Sequence, residues 1–369
     1  MAPPLRHVYV HIPFCHRICP YCSFFKHQPG STDISAFLEA LIKEARTVRR
    51  DHPLAIESIY FGGGTPSMLS TRHFTDFLPA FVESLGRPEP AEWTLEANPM
   101  TFDSAKASVW KAHGINRVSL GVQAWDQPTL QTLGRDHSPE HAESSVHILK
   151  EIGFDTVNID LMFSIPGQSI EAWEDTLSRT IALQPDHIST YNLNYEEDTE
   201  FFDRLKRGVY RQDDDADVPF FETAMAQLAE AGFDHYEISN YAKPRKQSRH
   251  NRAYWKGADF IGLGPSAFST MNRKRWQNIC DTGAYIQEIN QDQSAALPGE
   301  DLDDASLRCE RIALELRTSR GISREMIGTG RDEVLATLAE AYYIELSETH
   351  VRLTNSGKLL ADAVACELL

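Results

Sequence analysis

Three cysteines, Cys15, Cys19 and Cys22, fall within eight residues at the spacing C-x3-C-x2-C. Thiolates are natural ligands of iron–sulfur clusters, which ordinarily take four protein sulfurs. Only three are local here, and a cluster held by three leaves one iron open to a small molecule. The same thiolates could hold zinc, with His11, His16 or His27 as the fourth ligand. Cys19-Pro20-Tyr21-Cys22 also has the form of a redox pair. That motif wants its first cysteine at a helix N-terminus, yet Pro29-Gly30 breaks the chain soon afterwards. Covalent heme attachment needs a histidine where Ser23 stands. Cys280, Cys309 and Cys366 are scattered and read as buried or free thiols.

Other residues carry weaker signals. Gly62-Gly63-Gly64 can be a tight turn or a place where backbone approaches a ligand, and it lacks the Gly-Lys-Ser/Thr ending of a phosphate loop. Glu96 and Asp160 close apolar runs, where a carboxylate can accept from an ammonium or a ribose hydroxyl; Arg135 offers a fork for a carboxylate. Gly262-Leu263-Gly264-Pro265-Ser266-Ala267 reads as a turn, and Asp213-Asp214-Asp215 with Asp217 as a solvated loop.

The elements that must position these residues are β-type runs, each followed by a helical pattern. The runs are Val8–Ile12, Ser58–Phe61, Trp93–Ala97, Arg117–Val122, Thr156–Phe163 and His187–Leu193. One helix opens at Ser138 with Pro139 in its first turn and stops at Gly153. Glycines 114, 153 and 232 each stand between a helix end and a strand start, a weak internal repeat. Strand alternating with helix gives an α/β fold whose parallel strands either close as a barrel or fan into a doubly wound sheet. Function should then gather after the strands, and the cysteines follow the first of them directly.

Polar and turn-prone residues from Gln291 to Asp304 read as a linker. Beyond it, residues 306–318 and 332–343 read as helices, Val351–Leu353 as a strand and Gly357–Leu368 as a last helix, the order of a winged-helix-like module. Its acidic setting gives no reason to expect DNA binding. The 36 Lys and Arg against 53 Asp and Glu give a net charge of −17, which argues against nonspecific nucleic-acid binding. No segment approaches the ~20 apolar residues that span a bilayer, and the chain reads as a cytoplasmic protein without a membrane span.

Longer stretches around these residues carry a resemblance. Tyr9-Val10-His11-Ile12-Pro13-Phe14-Cys15 with Cys19-Pro20-Tyr21-Cys22 resembles the opening of the oxygen-independent coproporphyrinogen III oxidase family of radical S-adenosylmethionine (SAM) proteins. Phe61-Gly62-Gly63-Gly64-Thr65-Pro66-Ser67 looks like that family's glycine-rich SAM loop. Glu96-Ala97-Asn98-Pro99, Ser119-Leu120-Gly121-Val122-Gln123, Leu133-Gly134-Arg135 and Asn158-Ile159-Asp160-Leu161-Met162 continue the series in order. The match is close over residues 7 to 270 and looser beyond.

The resemblance implies a [4Fe-4S] cluster on Cys15, Cys19 and Cys22, reducing SAM to methionine and a 5'-deoxyadenosyl radical. It places Tyr9, Gly63 and Glu96 at the cluster-bound SAM, and Tyr21, Gly64, Thr65, Gln123, Arg135 and Asp160 at a second SAM. It also implies a partial TIM-like barrel over 1–235, a barrel extension and linker over 236–300, and a winged-helix-like α+β domain over 301–369. The decarboxylating members carry a further cysteine two residues after the third ligand, where this chain has Phe24. His250-Asn251-x-x-Tyr254-Trp255 matches a motif linked to heme binding in the family's heme-chaperone branch. An imidazole is a common axial ligand of heme iron and the flanking aromatic rings could pack on a porphyrin.

On that branch, heme is cargo and apo-hemoproteins are the partners, with peripheral contact to membrane hemoproteins. Oxidative decarboxylation of coproporphyrinogen, and a zinc-stabilised protein without radical chemistry, stand as the alternatives. Two departures from the family are Phe268, where Gly-Pro-Gly-Ala-His-Ser has its histidine, and Ser164, where Tyr-Gly-Leu-Pro-Gly has its first glycine.

Overall fold

The computed structural model describes residues 3–89 and 91–369. Each apolar run becomes a strand: β1 (Leu5–Ile12), β2 (Leu54–Gly63), β3 (Glu92–Ala97), β4 (Arg117–Gln123), β5 (Thr156–Phe163) and β6 (His187–Asn192). All five pairings between consecutive members are parallel. Neighbours follow chain order without reversal, so the sheet is singly wound and has no switch point of the doubly wound kind. A partial barrel is the result.

Alternation along each strand sorts two faces. In β1, Val8, Val10 and Ile12 are fully buried in a core shared with Phe37 and Leu41 of the helix Ile34–Asp51. Tyr9 and His11 take the opposite, inner face. That interior is polar: Ser58, Thr94, Ser119, Asn158 and His187 are all buried on it. Most barrel centres are filled by branched apolar side chains, so a polar one is built around hydrogen bonds and ligands.

The helix Pro139–Ile152 forms as capping chemistry favours. The Ser138 hydroxyl accepts from the N–H of His141, and Gly153 closes the helix at φ +80°.

Further strands widen the sheet. They are β7 (Asp234–Glu237), β8 (Asn240–Ala242), β9 (Phe260–Leu263), β10 (Phe268–Met271), β11 (Lys274–Gln277) and β12 (Glu300–Asp301). β8 adds antiparallel to β6, while β9 adds parallel to β1 and leads into the antiparallel run β10–β12. The expected turn is shorter than read, because Gly262 and Leu263 end β9 and only residues 264–267 connect it to β10. A separate three-stranded sheet, β13 (Ile322–Ser323), β14 (Ile344–Leu346) and β15 (His350–Leu353), lies with helices Asp304–Leu316, Asp332–Glu340 and Ala361–Leu368.

Three further expectations change. The stretch from Gln291 to Asp304 does not hang free, because Leu297 N–H donates to Gln277 O at 2.8 Å and Glu300–Asp301 pairs with β11. The aspartate run is a helix start: Asp213 caps Asp214–Glu230, accepting from Ala216 N–H. The last helix is two, broken at Leu360.

Candidate functional site

The cysteine loop leaves β1 at the C-terminal mouth of the barrel, where strand carbonyls end and following loops converge. It is tied at its base, with Cys15 N–H donating to His27 O and His27 N–H to Pro13 O at 3.0 and 2.9 Å. Polar groups ring the sulfurs. Thr65 Oγ1 lies 3.5 Å from Cys15 Sγ and accepts from Asn98 Nδ2 at 3.1 Å. Asn98 Oδ1 accepts from Arg135 at 2.8 Å, and Arg135 donates to Cys19 Sγ at 3.6 Å and to Gly121 O at 2.7 Å. Burial pushes the Cys15 and Cys22 thiols up, with the Thr65 hydroxyl and Lys26 respectively working against it. A cleft of about 230 Å³ opens beside this ring, lined by His16, Cys19, Thr65, Asn98, Met100 and Arg135.

The glycine run braces the cysteine loop. Gly64 N–H donates to Ile12 O and Thr65 N–H to Phe14 O, both at 2.8 Å. A Cβ on Gly63 would stand 2.8 Å from the His11 ring, and one on Gly64 would stand 2.7 Å from Phe14 O. These glycines are therefore required by close packing against β1 and the cysteine loop, a reason independent of any ligand.

Glu96 sits behind them and accepts from Tyr60 OH at 2.7 Å and from Gly63 N–H at 3.1 Å. Burial raises its pKa to about 7; the Tyr60 hydrogen bond opposes this and the Asp160 charge adds to it. Asp160 is likewise pushed up by burial, though Ser119 Oγ and Asn158 Nδ2 donate to it at 2.9 and 2.7 Å. Gln123 ends β4 at a register shift with φ +71°. Tyr9 OH meets His11 Nδ1 at 3.0 Å. Tyr21 packs with Leu133, Met162 and Phe201 under the far side of the loop.

The His-Asn-x-x-Tyr-Trp residues lie elsewhere. They form a short helix, Arg249–Trp255, that closes the barrel at the N-terminal ends of the strands. Glu92, the first residue of β3, accepts from Ser248 Oγ, Arg249 N–H and His250 N–H at 3.2, 3.0 and 3.0 Å. His250 is 1% exposed. Its Nδ1 meets Ser58 Oγ at 2.8 Å, its Nε2 meets Tyr254 OH at 3.0 Å, and burial lowers its pKa to about 3. Both ring nitrogens are engaged by protein groups here, so an imidazole acting as an axial heme ligand would have to give up one of these hydrogen bonds. A buried imidazole satisfies its two nitrogens with the nearest partners, and here those are a serine and a tyrosine. Asn251 and Tyr254 are half-buried, and Trp255 lies under the Arg317 guanidinium, 5.4 Å from ring centroid to carbon.

The radical SAM superfamily model matches residues 9–180. Over 98% of both chains, the sequence is 31% identical to the heme chaperone HemW of Bacillus subtilis. It is 33% identical to the HemW of Mycobacterium tuberculosis H37Rv over 98% of this chain and 94% of that one. The chain belongs to the radical SAM superfamily, in the family of HemW. Among solved structures, the coproporphyrinogen III oxidase of Escherichia coli, a radical SAM enzyme, superposes at a TM-score of 0.85 with 23% identity, covering 99% of this chain and 90% of that one, which shows a shared fold.

A radical SAM protein holds a [4Fe-4S] cluster and SAM, and the residues at the mouth fit that pair. The donor set is three sulfurs, and burial makes the Cys15 and Cys22 thiolates costly without a cation such as iron. The zinc alternative finds no fourth ligand among two of its candidates. His11 Nε2 is held by Phe25 O at 2.8 Å with Nδ1 on Tyr9; His27 is held by Gln28 O and Thr282 Oγ1 at 2.8 and 2.7 Å. Among the described residues, no three His, Cys, Asp or Glu side chains converge as a single-ion site.

Two residues of this radical SAM site were not singled out from sequence, Tyr60 and Asn98. Strand periodicity could have found Tyr60, which shares the inner face of β2 with Gly62. Asn98 links Thr65 to Arg135 only through tertiary contact.

Proposed function

We propose that this chain is a cytoplasmic heme chaperone that binds heme and passes it to apo-hemoproteins, membrane-associated ones included. The observation that carries the reading over decarboxylation is position 24. Phe24, 68% exposed on the cysteine loop, offers no thiol where the decarboxylases carry their extra cysteine. Full-length similarity to proteins named as heme chaperones supports it. No helix of the described residues is long and apolar enough to cross a membrane.

Cys15, Cys19 and Cys22 are assigned to the cluster, which with SAM supplies one-electron chemistry when bound. Glu96, Tyr9 and Gly63 are assigned to the cluster-bound SAM. Glu96 can receive an ammonium there, since its present partners leave lone pairs free. Arg135, Asp160, Gln123, Thr65, Gly64 and Tyr21 are assigned to a second SAM. Arg135 is held by Asn98 and Gly121, so its fork is already oriented. The division into residues 1–235, 236–300 and 301–369 is retained as the domain reading, the middle part carrying the helix that closes the barrel.

Anaerobic reconstitution tests the assignment. It should give about four irons and four sulfides per chain, lost on Cys15→Ala, Cys19→Ala or Cys22→Ala. Heme titration should saturate near one equivalent, with transfer to an apo-hemoprotein. Protoporphyrinogen formed from coproporphyrinogen under reducing, SAM-containing conditions would establish the oxidase instead.

A further inference from the structure

The helix Arg249–Trp255 lies at the opposite end of the barrel from the cysteines, yet one stack of side chains joins the two. The His250 ring packs on Tyr60 with centroids 5.1 Å apart and planes inclined by 29°. Tyr60 packs in turn on Tyr9 at 6.1 Å and 29°. The Tyr60 hydroxyl donates to Glu96 at 2.7 Å, and Glu96 also accepts from Gly63 of the glycine run.

His250 is fixed from every side. Its N–H is held by Glu92, and its ring by Ser58, itself 2.9 Å from His7 Nδ1, and by Tyr254, whose ring meets Phe260 at 4.5 Å. A ring so held defines where its neighbour lies. The flat face of His250 on one side and the Tyr9 ring on the other bound where the Tyr60 ring can lie.

We propose that His250 is a positioning residue for SAM binding, holding Tyr60, and through it Glu96, in the orientation that receives the SAM ammonium. The inference rests on the assignment of Glu96 to SAM. The His-Asn-x-x-Tyr-Trp helix thereby serves the SAM end of the barrel from beneath. Its outermost aromatic, Trp255, rests under Arg317 of the C-terminal part, so the same helix also meets that part of the chain.

The stack can be removed without unbolting the helix, because His250→Ala keeps the backbone N–H on Glu92. Calorimetry of SAM binding to the cluster-loaded protein should show about fivefold weaker affinity for His250→Ala, the scale of one aromatic pair, with iron content unchanged. His250→Phe, which restores a ring and no nitrogen, should bind SAM close to wild type. In a Glu96→Gln background, His250→Ala should cost nothing more, since the group it positions is already altered.

SAM affinity unchanged in His250→Ala while Glu96→Gln weakens it would overturn the positioning role and leave the SAM site standing. Equal losses in both backgrounds, or a Phe variant as weak as Ala, would also overturn it. Unchanged affinity in Glu96→Gln would instead remove the SAM assignment on which the inference stands.

Discussion

Glu96 is a carboxylate enclosed by a hydroxyl and a backbone N–H, with its pKa raised to about 7, chiefly by burial. An ammonium binds it best when it is ionised. SAM affinity should therefore rise as pH increases through about 7, and Glu96→Gln should flatten the dependence measured by calorimetry from pH 6 to 8. For folding without SAM the sign reverses. Between the ordinary 4.5 and about 7 the folded state holds this proton more tightly than the unfolded chain, so the contribution of Glu96 to stability falls as pH rises. Glu44, raised to about 7 by burial although Tyr285, Gly264 and Asn278 all donate to it, adds to the same trend. The buried histidines, His250 among them, have lowered pKa values and act in the opposite sense, so the test isolates Glu96: in urea titrations of the SAM-free protein, the midpoint of Glu96→Gln relative to wild type should rise between pH 5 and 7.5. Ser164 holds φ +59°, the left-handed region, and its buried hydroxyl has no hydrogen-bond partner. The family's glycine at this position is the residue that conformation favours. Ser164→Gly should stabilise the protein by about 1 kcal/mol in the same titration.

The helix Arg249–Trp255 is only seven residues long and depends on tertiary contacts rather than propensity. Glu92 accepts from two of its backbone N–H groups and from the hydroxyl of its N-cap Ser248, and lies 3.7 Å from the buried Arg117, which also donates to Lys246 O at 2.9 Å. Removing that carboxylate leaves a buried guanidinium without its charge partner and two N–H groups of the first helical turn without an acceptor. Glu92→Ala should cost about 3–5 kcal/mol in chemical denaturation. SAM binding should weaken with it, since His250 loses its support. A loss under 1 kcal/mol would show that the helix is held by its aromatic contacts instead.

Across the whole molecule one apolar core runs from β1 through the barrel helices to Ile312, Leu316, Val351 and Val364 of the C-terminal part. Glu237 bridges to Thr318, and Ser319 N–H donates to Tyr236 O at 3.0 Å, so β7 is also joined by backbone to the segment that leads into β13. Such continuity favours one cooperative transition. Gly357 tests it, because a Cβ there would stand 1.8 Å from Tyr343 O. Gly357→Ala should destabilise by about 1–3 kcal/mol and lower the single calorimetric transition as a unit. A separate low-temperature transition confined to the C-terminal part would show that its folding is independent.

The sequence by itself determined the six barrel strands and the clustering of three thiolates after the first of them. Period-two apolar runs and glycine-closed helices are local signals, and C-x3-C-x2-C places its thiolates together because eight residues of chain cannot spread far. Barrel against doubly wound sheet was decided only by strand order, since the same alternation of strand and helix serves both. The reason for the glycine run was also tertiary: its missing side chains make room for His11, Pro13 and Phe14. His250 shows the difference most directly. Its motif was legible, but whether an imidazole is a ligand or a buried support depends on which groups surround its two nitrogens. Ser58 and Tyr254 reach them only when β2 and the Arg249–Trp255 helix meet in the folded chain.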